Sequence, residues 1–497
     1  MFIKDKRIKL LLEQYKPIYS LKYMLLLSSW DTETFMPSEG VTARGFSTGN
    51  IEGLIQKLFL EKDFAKALLD IDPEDKKLTV TEAMIVNRLR HKYDKYTKLP
   101  SEFVNRFAAL TSTASTVWAK AKSENDFEMF KPYLEKIFTY SREAAGYLGY
   151  KENPYEALIE DYEPEMTMND YDSYFTELQK TLSHFDISGI SKIKELSDEF
   201  SIEALKGIVA DILSEFRADK TFIRIDESSH PFTNAIALND IRITTNYNKS
   251  SPFSAIYSTV HEYGHGLFGH QISPELEYTP IFDDISYGLH ESQSRLWENL
   301  IGRNMGFVKW LTPKINLLGG DYKHLTASEV YDQVNRVAPS LVRIEADELT
   351  YHYHILIRYE VEKDLLNCRV KVSDAVELWN GLYEKYLHIR PKKLSEGILQ
   401  DIHWSIGAVG YFPSYSFGTI LSSIIYEKMK EKLGSATDNV FKPGNISKIQ
   451  NWLKENIHQY GGTYSYKDVS QKFTGKAISI EPWASYMANK FSKIYRP

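Results

Sequence analysis

Apolar residues recur at three- and four-residue spacing, with charged residues between them, over residues 6–29, 44–69, 79–96, 127–148 and 346–366. That period gathers the apolar side chains on one face of an α-helix, so each stretch predicts a helix with one buried stripe. The pattern changes over residues 230–248, HPFTNAIALNDIRITTNYN, where Ile, Thr and Phe are frequent and Leu238-Asn239-Asp240 has turn character. This segment predicts a β-hairpin. Ser251-Pro252 then supplies a helix start, with Ser as N-cap and Pro at the first helical position. The helix it opens is expected to run to about Ile272, before Pro274.

Pro and Gly punctuate the chain at Met36-Pro37, Asn153-Pro154, Gly319-Gly320 and Arg390-Pro391, but no long Ser/Gly/Pro linker and no internal repeat divides it. The expectation is one mainly α domain over residues 1–497: helical to about 225, hairpin and adjoining helices over about 226–305, helical again over about 306–497.

Lys plus Arg number 60 against 67 Asp plus Glu, and the net charge of −7 gives no electrostatic reason to expect nucleic acid or an anionic membrane as partner. Cys368 is the only cysteine. It excludes an internal disulfide framework and a thiolate-rich metal site, and it reads as a buried structural thiol in a reducing compartment. Charges are scattered through MFIKDKRIKLLLEQYKPIYS, which lacks the uninterrupted apolar core of a signal peptide. No run approaches the roughly 20 apolar residues of a membrane span, so a cytoplasmic protein is expected.

The stretch HEYGHGLFGHQ, from His261 to Gln271, carries the chemistry. Residues four apart on a helix differ by about 400° around its axis, so His261 and His265 face the same way and can share one tetrahedral ion. Glu262 lies beside that face, where a carboxylate can take a proton from the attacking water and return it to a leaving amine. A third histidine, His270, invites comparison with H-E-x-x-H-x-x-G-x-x-H, but that pattern needs Gly at 268 and His at 271, and the chain has Phe268 and Gln271. Five residues place His270 about 140° further round than His265, so it joins the ion only if the helix breaks. Gly266 and Gly269 make a break conceivable, while Leu267 and Phe268 point to ordinary packing.

GLHESQSRLWEN offers another third ligand, Glu291, on a second expected helix 26 residues after His265. Two histidines and a glutamate leave the fourth position of a tetrahedral ion open, as catalytic zinc requires. From spacing alone Glu291 reads equally well as a solvated helix glutamate, and His290 competes for the same role.

HEYGH followed by HESQS resembles the carboxypeptidase Taq family of HExxH metallocarboxypeptidases, and further motifs of that family stand in the same order almost from end to end. WDTETFMP (30–37), NPYEALIEDYEPEMT (153–167), HPF (230–232), DIRIT (240–244), VRIEAD (342–347) and GILQDIHW (397–404) are these motifs, with Val342 where Ile is usual. The resemblance implies a large helical, cleft-containing peptidase fold with a small β-sheet near the active-site helix. It also implies a homodimer with one zinc or cobalt ion per subunit, removing C-terminal residues from peptides with broad side-chain tolerance. His261, His265 and Glu291 would be the ligands and Glu262 the general base. Nearby alternatives are an oligopeptidase or dipeptidyl-carboxypeptidase on a similar scaffold, or a non-catalytic peptide-binding protein with a structural metal, which would not need Glu262.

An exopeptidase acting at the C-terminus must hold a free carboxylate, and the permanently charged fork of an arginine does so in bidentate fashion. Arg343 is the first candidate, with Asp347 four residues on to hold it or to form an ordinary helical ion pair. Arg242 alternates with Ile241 and Ile243 on its strand and projects from the opposite face, toward substrate or solvent. The hairpin edge could also pair with an extended peptide. His403, Tyr411 and His230 are candidate hydrogen-bond donors to a developing oxyanion, and Asp401 a candidate partner for His403 or for a ligand histidine.

Overall fold

Residues 2–187, 196, 199–247 and 251–495 are described in the computed structural model; Asn248, the last residue of the expected hairpin, lies outside them. Helices dominate, and where the sequence carries both periodicity and a cap they begin where expected. The helix Phe127–Leu148 has Asp126 as N-cap, its side chain accepting from the backbone N–H of Glu128 and Met129. Residues 6–29 lie in one helix, Lys6–Thr34, whereas 44–69 divides into Val41–Phe59 and Lys62–Leu69.

Two compact units emerge, each drawn from three stretches of chain. The first comprises Met1–Tyr96, Lys194–Val334 and Ser422–Ser465, the second Thr97–Ile193, Asn335–Leu421 and Tyr466–Pro497.

The first unit contains the hairpin, formed by β2 (Thr233–Ala237) and β3 (Asp240–Thr245), antiparallel. An additional strand, β1 (Ile223–Glu227), pairs in parallel with β3, so the sheet order is β1-β3-β2 and β2 is an edge. The HExxH helix, Pro252–Gln271, lies against this sheet without a break. Gly266 and Gly269 serve close approach, not flexibility. A Cβ at Gly266 would stand 2.8 Å from Ile241 Cγ2, and one at Gly269 would stand 2.6 Å from Ala235 Cβ. The other sheet face meets Trp30 of WDTETFMP, whose ring lies under the guanidinium groups of Arg224 (4.8 Å) and Arg242 (4.3 Å). Those arginines are register partners on β1 and β3.

The second unit is organised around the helix Tyr351–Leu366, which is buried on nearly all sides. Several of its buried charged and polar groups are paired, as burial demands. His352 Nδ1 meets Ser416 Oγ at 2.7 Å, His354 Nδ1 meets Tyr383 Oη at 3.0 Å, and Arg358 donates to Asp401. Glu362 accepts from Tyr155 Oη and Trp404 Nε1, which gives the NPYEALIEDYEPEMT and GILQDIHW motifs a packing role. This helix starts later than residue 346 because Ala346 is extended and Asp347 accepts from the backbone N–H of Leu349 and Thr350. Cys368 is exposed at the end of the same helix, with φ of 54°, so it is not the buried thiol expected from the sequence. Among the described residues, no helix is long and apolar enough to cross a membrane.

Candidate metal centre

The HExxH helix is fixed on one side by the sheet and on another by the helix Tyr287–Arg295 that carries Glu291. Gly264 makes the second contact possible, since a Cβ there would stand 2.6 Å from Gln293 O and 2.7 Å from Ser294 Cα. Beneath them Tyr263 and Trp297 pack on Phe216, with Tyr263 Oη donating to Phe216 O at 2.8 Å.

His261, His265 and Glu291 converge, with one donor atom from each inside a 4.8 Å sphere of mutual distances. Glu291 Oε2 lies 3.5 Å from His261 Nε2 and 3.4 Å from His265 Nε2. A tetrahedral ion with bonds of about 2.0–2.1 Å separates its donors by about 3.3–3.4 Å, so spacing and ligand types both fit a divalent cation.

Three further residues set these donors. His261 Nδ1 faces Glu298 Oε2 at 2.9 Å, which places the ring proton there and turns the Nε2 lone pair toward the cluster. His265 Nδ1 lies 2.5 Å from His290 Nδ1, so His290 holds the second imidazole and is not a ligand of the group. Arg295 donates from Nε to Glu291 Oε1 at 2.7 Å and from Nη1 to Glu298 Oε2 at 3.1 Å. Arg295 thus holds Oε1 while Oε2 faces the two histidines, also accepting from Ser294 Oγ at 3.0 Å. Glu298 is anchored on its other oxygen by Arg303 Nη2 at 3.0 Å.

The electrostatics call for a cation. Burial pulls the His261 imidazole down, but Glu291 and Glu298 more than offset it and raise it to about 10. Burial likewise opposes ionisation of Glu291, yet Arg295 and the histidines hold it well below its ordinary range. Burial and the neighbouring His265 push His290 well down, so it is a neutral ring.

Glu262 is buried, and its Oε2 accepts from Thr233 Oγ1 at 2.7 Å. The same hydroxyl lies 3.0 Å from Glu262 O. His270 is turned away: its Nδ1 meets Leu238 O at 2.8 Å and its ring stacks on Phe222. His230 is exposed, and its carbonyl accepts from Ser228 Oγ. Arg242 is bound by Asp240 through Nε (2.8 Å) and Nη2 (3.1 Å) on the sheet face bearing Trp30, opposite the HExxH helix. That pairing holds the Arg242 guanidinium against the sheet, between Asp240 and the Trp30 ring.

The second unit holds its own constellation. Arg343 donates from Nε to Asp401 Oδ1 (2.9 Å) and from Nη1 to Tyr351 Oη (2.9 Å), while its Nη2 meets no acceptor among the described residues. Asp401 also takes Arg358 Nε at 2.7 Å. Burial opposes its ionisation, and the two arginines hold it far below the ordinary carboxylate range. Asp401 therefore fills the counter-ion role expected of Asp347. Asp347 is spent on capping because Arg343 lies in a short 3₁₀ turn outside the long helix. His403 lies beside Tyr411 (ring centroids 5.1 Å), and its Nε2 meets Tyr415 Oη at 3.1 Å. Burial and Arg343 push His403 down to about 3, so it is neutral.

Residues 10–491 match the family profile described as carboxypeptidase Taq (M32) metallopeptidase. Thermostable carboxypeptidase 1 of Pyrococcus furiosus is 35% identical over 98% of this chain and 99% of its own. Carboxypeptidase 1 of Bacillus subtilis is 34% identical over 94% and 95%. Among solved structures, a Pyrococcus furiosus carboxypeptidase matches with a TM-score of 0.94 at 35% identity, covering 99% of this chain and 100% of that one. Metallocarboxypeptidase 1 of Trypanosoma cruzi matches with a TM-score of 0.90 at 29% identity over 99% and 100%.

Proposed function

The chain belongs to the carboxypeptidase Taq (M32) family of metallopeptidases, and from that premise we propose that it removes single C-terminal residues from peptides with broad side-chain tolerance, using Glu262 as general base. The observation that carries this reading is the convergence of Glu291 Oε2, 3.4 and 3.5 Å from the two histidine nitrogens, on a neighbouring helix, with a buried carboxylate one residue from the first histidine. His261, His265 and Glu291 would hold one zinc or cobalt ion per subunit, since both suit two imidazoles and a carboxylate. A cation bound there would polarise the scissile carbonyl and make water a stronger acid.

Glu262 takes the proton that the attacking water loses as it bonds to the carbonyl carbon, and delivers it to the amine nitrogen as the C–N bond breaks. Arg343 takes the substrate's terminal carboxylate. In support, two of its donors are fixed by Asp401 and Tyr351, which orients the guanidinium plane and leaves Nη2 available. Neutral His403 and Tyr411 serve as hydrogen-bonding contacts to the peptide, with His230 as an outer contact. The enzyme works as a homodimer in the cytoplasm, where the exposed Cys368 stays reduced.

Glu262→Gln tests the mechanism: metal content should stay at one ion per chain while turnover falls by about four orders of magnitude. A variant retaining activity overturns the role. Glu291→Ala should strip the metal, whereas His270→Ala should not.

A further inference from the structure

Glu262 is placed by more than its own helix. Phe232 of HPF is locked to Thr244 of DIRIT, with Thr244 N–H donating to Phe232 O at 2.9 Å and Phe232 N–H donating to Thr244 Oγ1 at 2.9 Å. Ser228 Oγ closes the same corner, 2.7 Å from Thr244 Oγ1. The next residue, Thr233, opens the edge strand β2, and the close packing at Gly266 and Gly269 seats that sheet on the HExxH helix. Two motifs that carry no ligand thus converge on one hydroxyl that touches the Glu262 carboxylate.

We infer that Thr233 is a positioning residue for Glu262. Its hydroxyl has one proton and two acceptors on the same residue, the side-chain Oε2 at 2.7 Å and the backbone O at 3.0 Å. Together they fix the carboxylate plane relative to the helix. No other hydrogen bond reaches the Glu262 side chain among the described residues, so Oε1 is the oxygen left to receive and return the proton. A carboxyl protonated on Oε1 still accepts at Oε2, so the Thr233 bond survives the whole cycle. Without it, the carboxylate turns about a terminal torsion that is intrinsically broad. A displaced base slows the chemical step and leaves ground-state binding alone.

The inference rests on the carboxypeptidase reading, and the test separates the two. Steady-state kinetics on a peptide with a free C-terminus should be run for wild type, Thr233→Val, Thr233→Ser, Glu262→Gln and Thr233→Val with Glu262→Gln, all metal-loaded. Thr233→Val, isosteric but without the hydroxyl, should lower kcat about 10- to 100-fold with KM within about 2-fold. Metal content should remain at the wild-type level. Thr233→Ser should restore kcat to within about 3-fold of wild type, and Thr233→Val should add no further loss once Glu262 is Gln. Thr233→Val with wild-type kcat, Thr233→Ser as slow as Thr233→Val, loss of metal, or the same fold-loss in the Glu262→Gln background each overturns the inference. An active wild type with an unimpaired Thr233→Val removes only the Thr233 role. A metal-loaded wild type that trims no peptide removes both.

Discussion

Gly264 should set metal affinity although it touches no metal. Adding one methyl there puts a Cβ 2.6 Å from Gln293 O, 2.7 Å from Ser294 Cα and 3.0 Å from Gln293 C, all backbone atoms that no rotamer change can move. Reaching the 3.4 Å of ordinary contact requires the two ligand-bearing helices to part locally by about 0.8 Å. The separations of Glu291 Oε2 from the histidine nitrogens, 3.4 and 3.5 Å, would then pass about 4 Å, whereas metal–ligand distances tolerate only about 0.2 Å. Gly264→Ala is expected to weaken metal binding at least 10- to 100-fold, the scale of disturbed metal surroundings, and to cost about 1–3 kcal/mol in overpacking. The assay is competition of apo protein against a chromophoric chelator for Zn²⁺, with helix content followed by circular dichroism. Gly207→Ala is the control, because a Cβ there meets nothing within 4 Å and a helix interior prefers Ala by about 1 kcal/mol. A folded Gly264→Ala with wild-type affinity would refute the reasoning.

Glu298→Gln should weaken the metal about 10- to 100-fold without unfolding the protein, because it frees the His261 ring; equilibrium dialysis reads the loss. Asp401→Asn leaves the buried guanidinium groups of Arg343 and Arg358 facing each other without a counter-charge, at a cost of about 3–5 kcal/mol, and should raise KM for peptides with a free carboxylate; urea unfolding and initial rates check the two effects. Burial raises Glu362 from 4.5 to about 7 in the folded protein, so its contribution is intact below about pH 4.5 and is lost as pH rises through 7, about 3 kcal/mol in all. Glu362→Gln should flatten that part of the stability–pH profile measured by denaturant unfolding, and an unchanged slope contradicts the assignment.

How far the chain could be read depended on whether a signal was local. His261, His265 and Glu262 were legible because helix geometry alone fixes their relation, and the unbroken helix keeps His270 away. Glu298 was not legible, because the helix bearing Glu291 ends at Arg295 and passes into a π-helical turn over Leu296–Ile301, where α-helical spacing no longer says which side chains share a face. The His265–His290 contact, the parallel strand β1 and the Arg343–Asp401 pair join distant segments, and periodicity carries no long-range pairing. Glycines misled for a physical reason. The residue that weakens a helix also lets backbones meet, and at Gly264, Gly266 and Gly269 the second property decides. The break between Phe59 and Lys62 has neither Pro nor Gly to announce it.

The central claim is hydrolysis at a free C-terminus by a metal-loaded site, and one measurement addresses it directly. Two copies of one unblocked peptide, one ending in a carboxylate and one in an amide, are incubated with metal-reconstituted protein and followed by mass spectrometry. The account predicts a ladder of single-residue losses from the C-terminus of the first, none from the second, and none from either with Glu262→Gln. Equal trimming of the amidated peptide, or release of dipeptides, would contradict it.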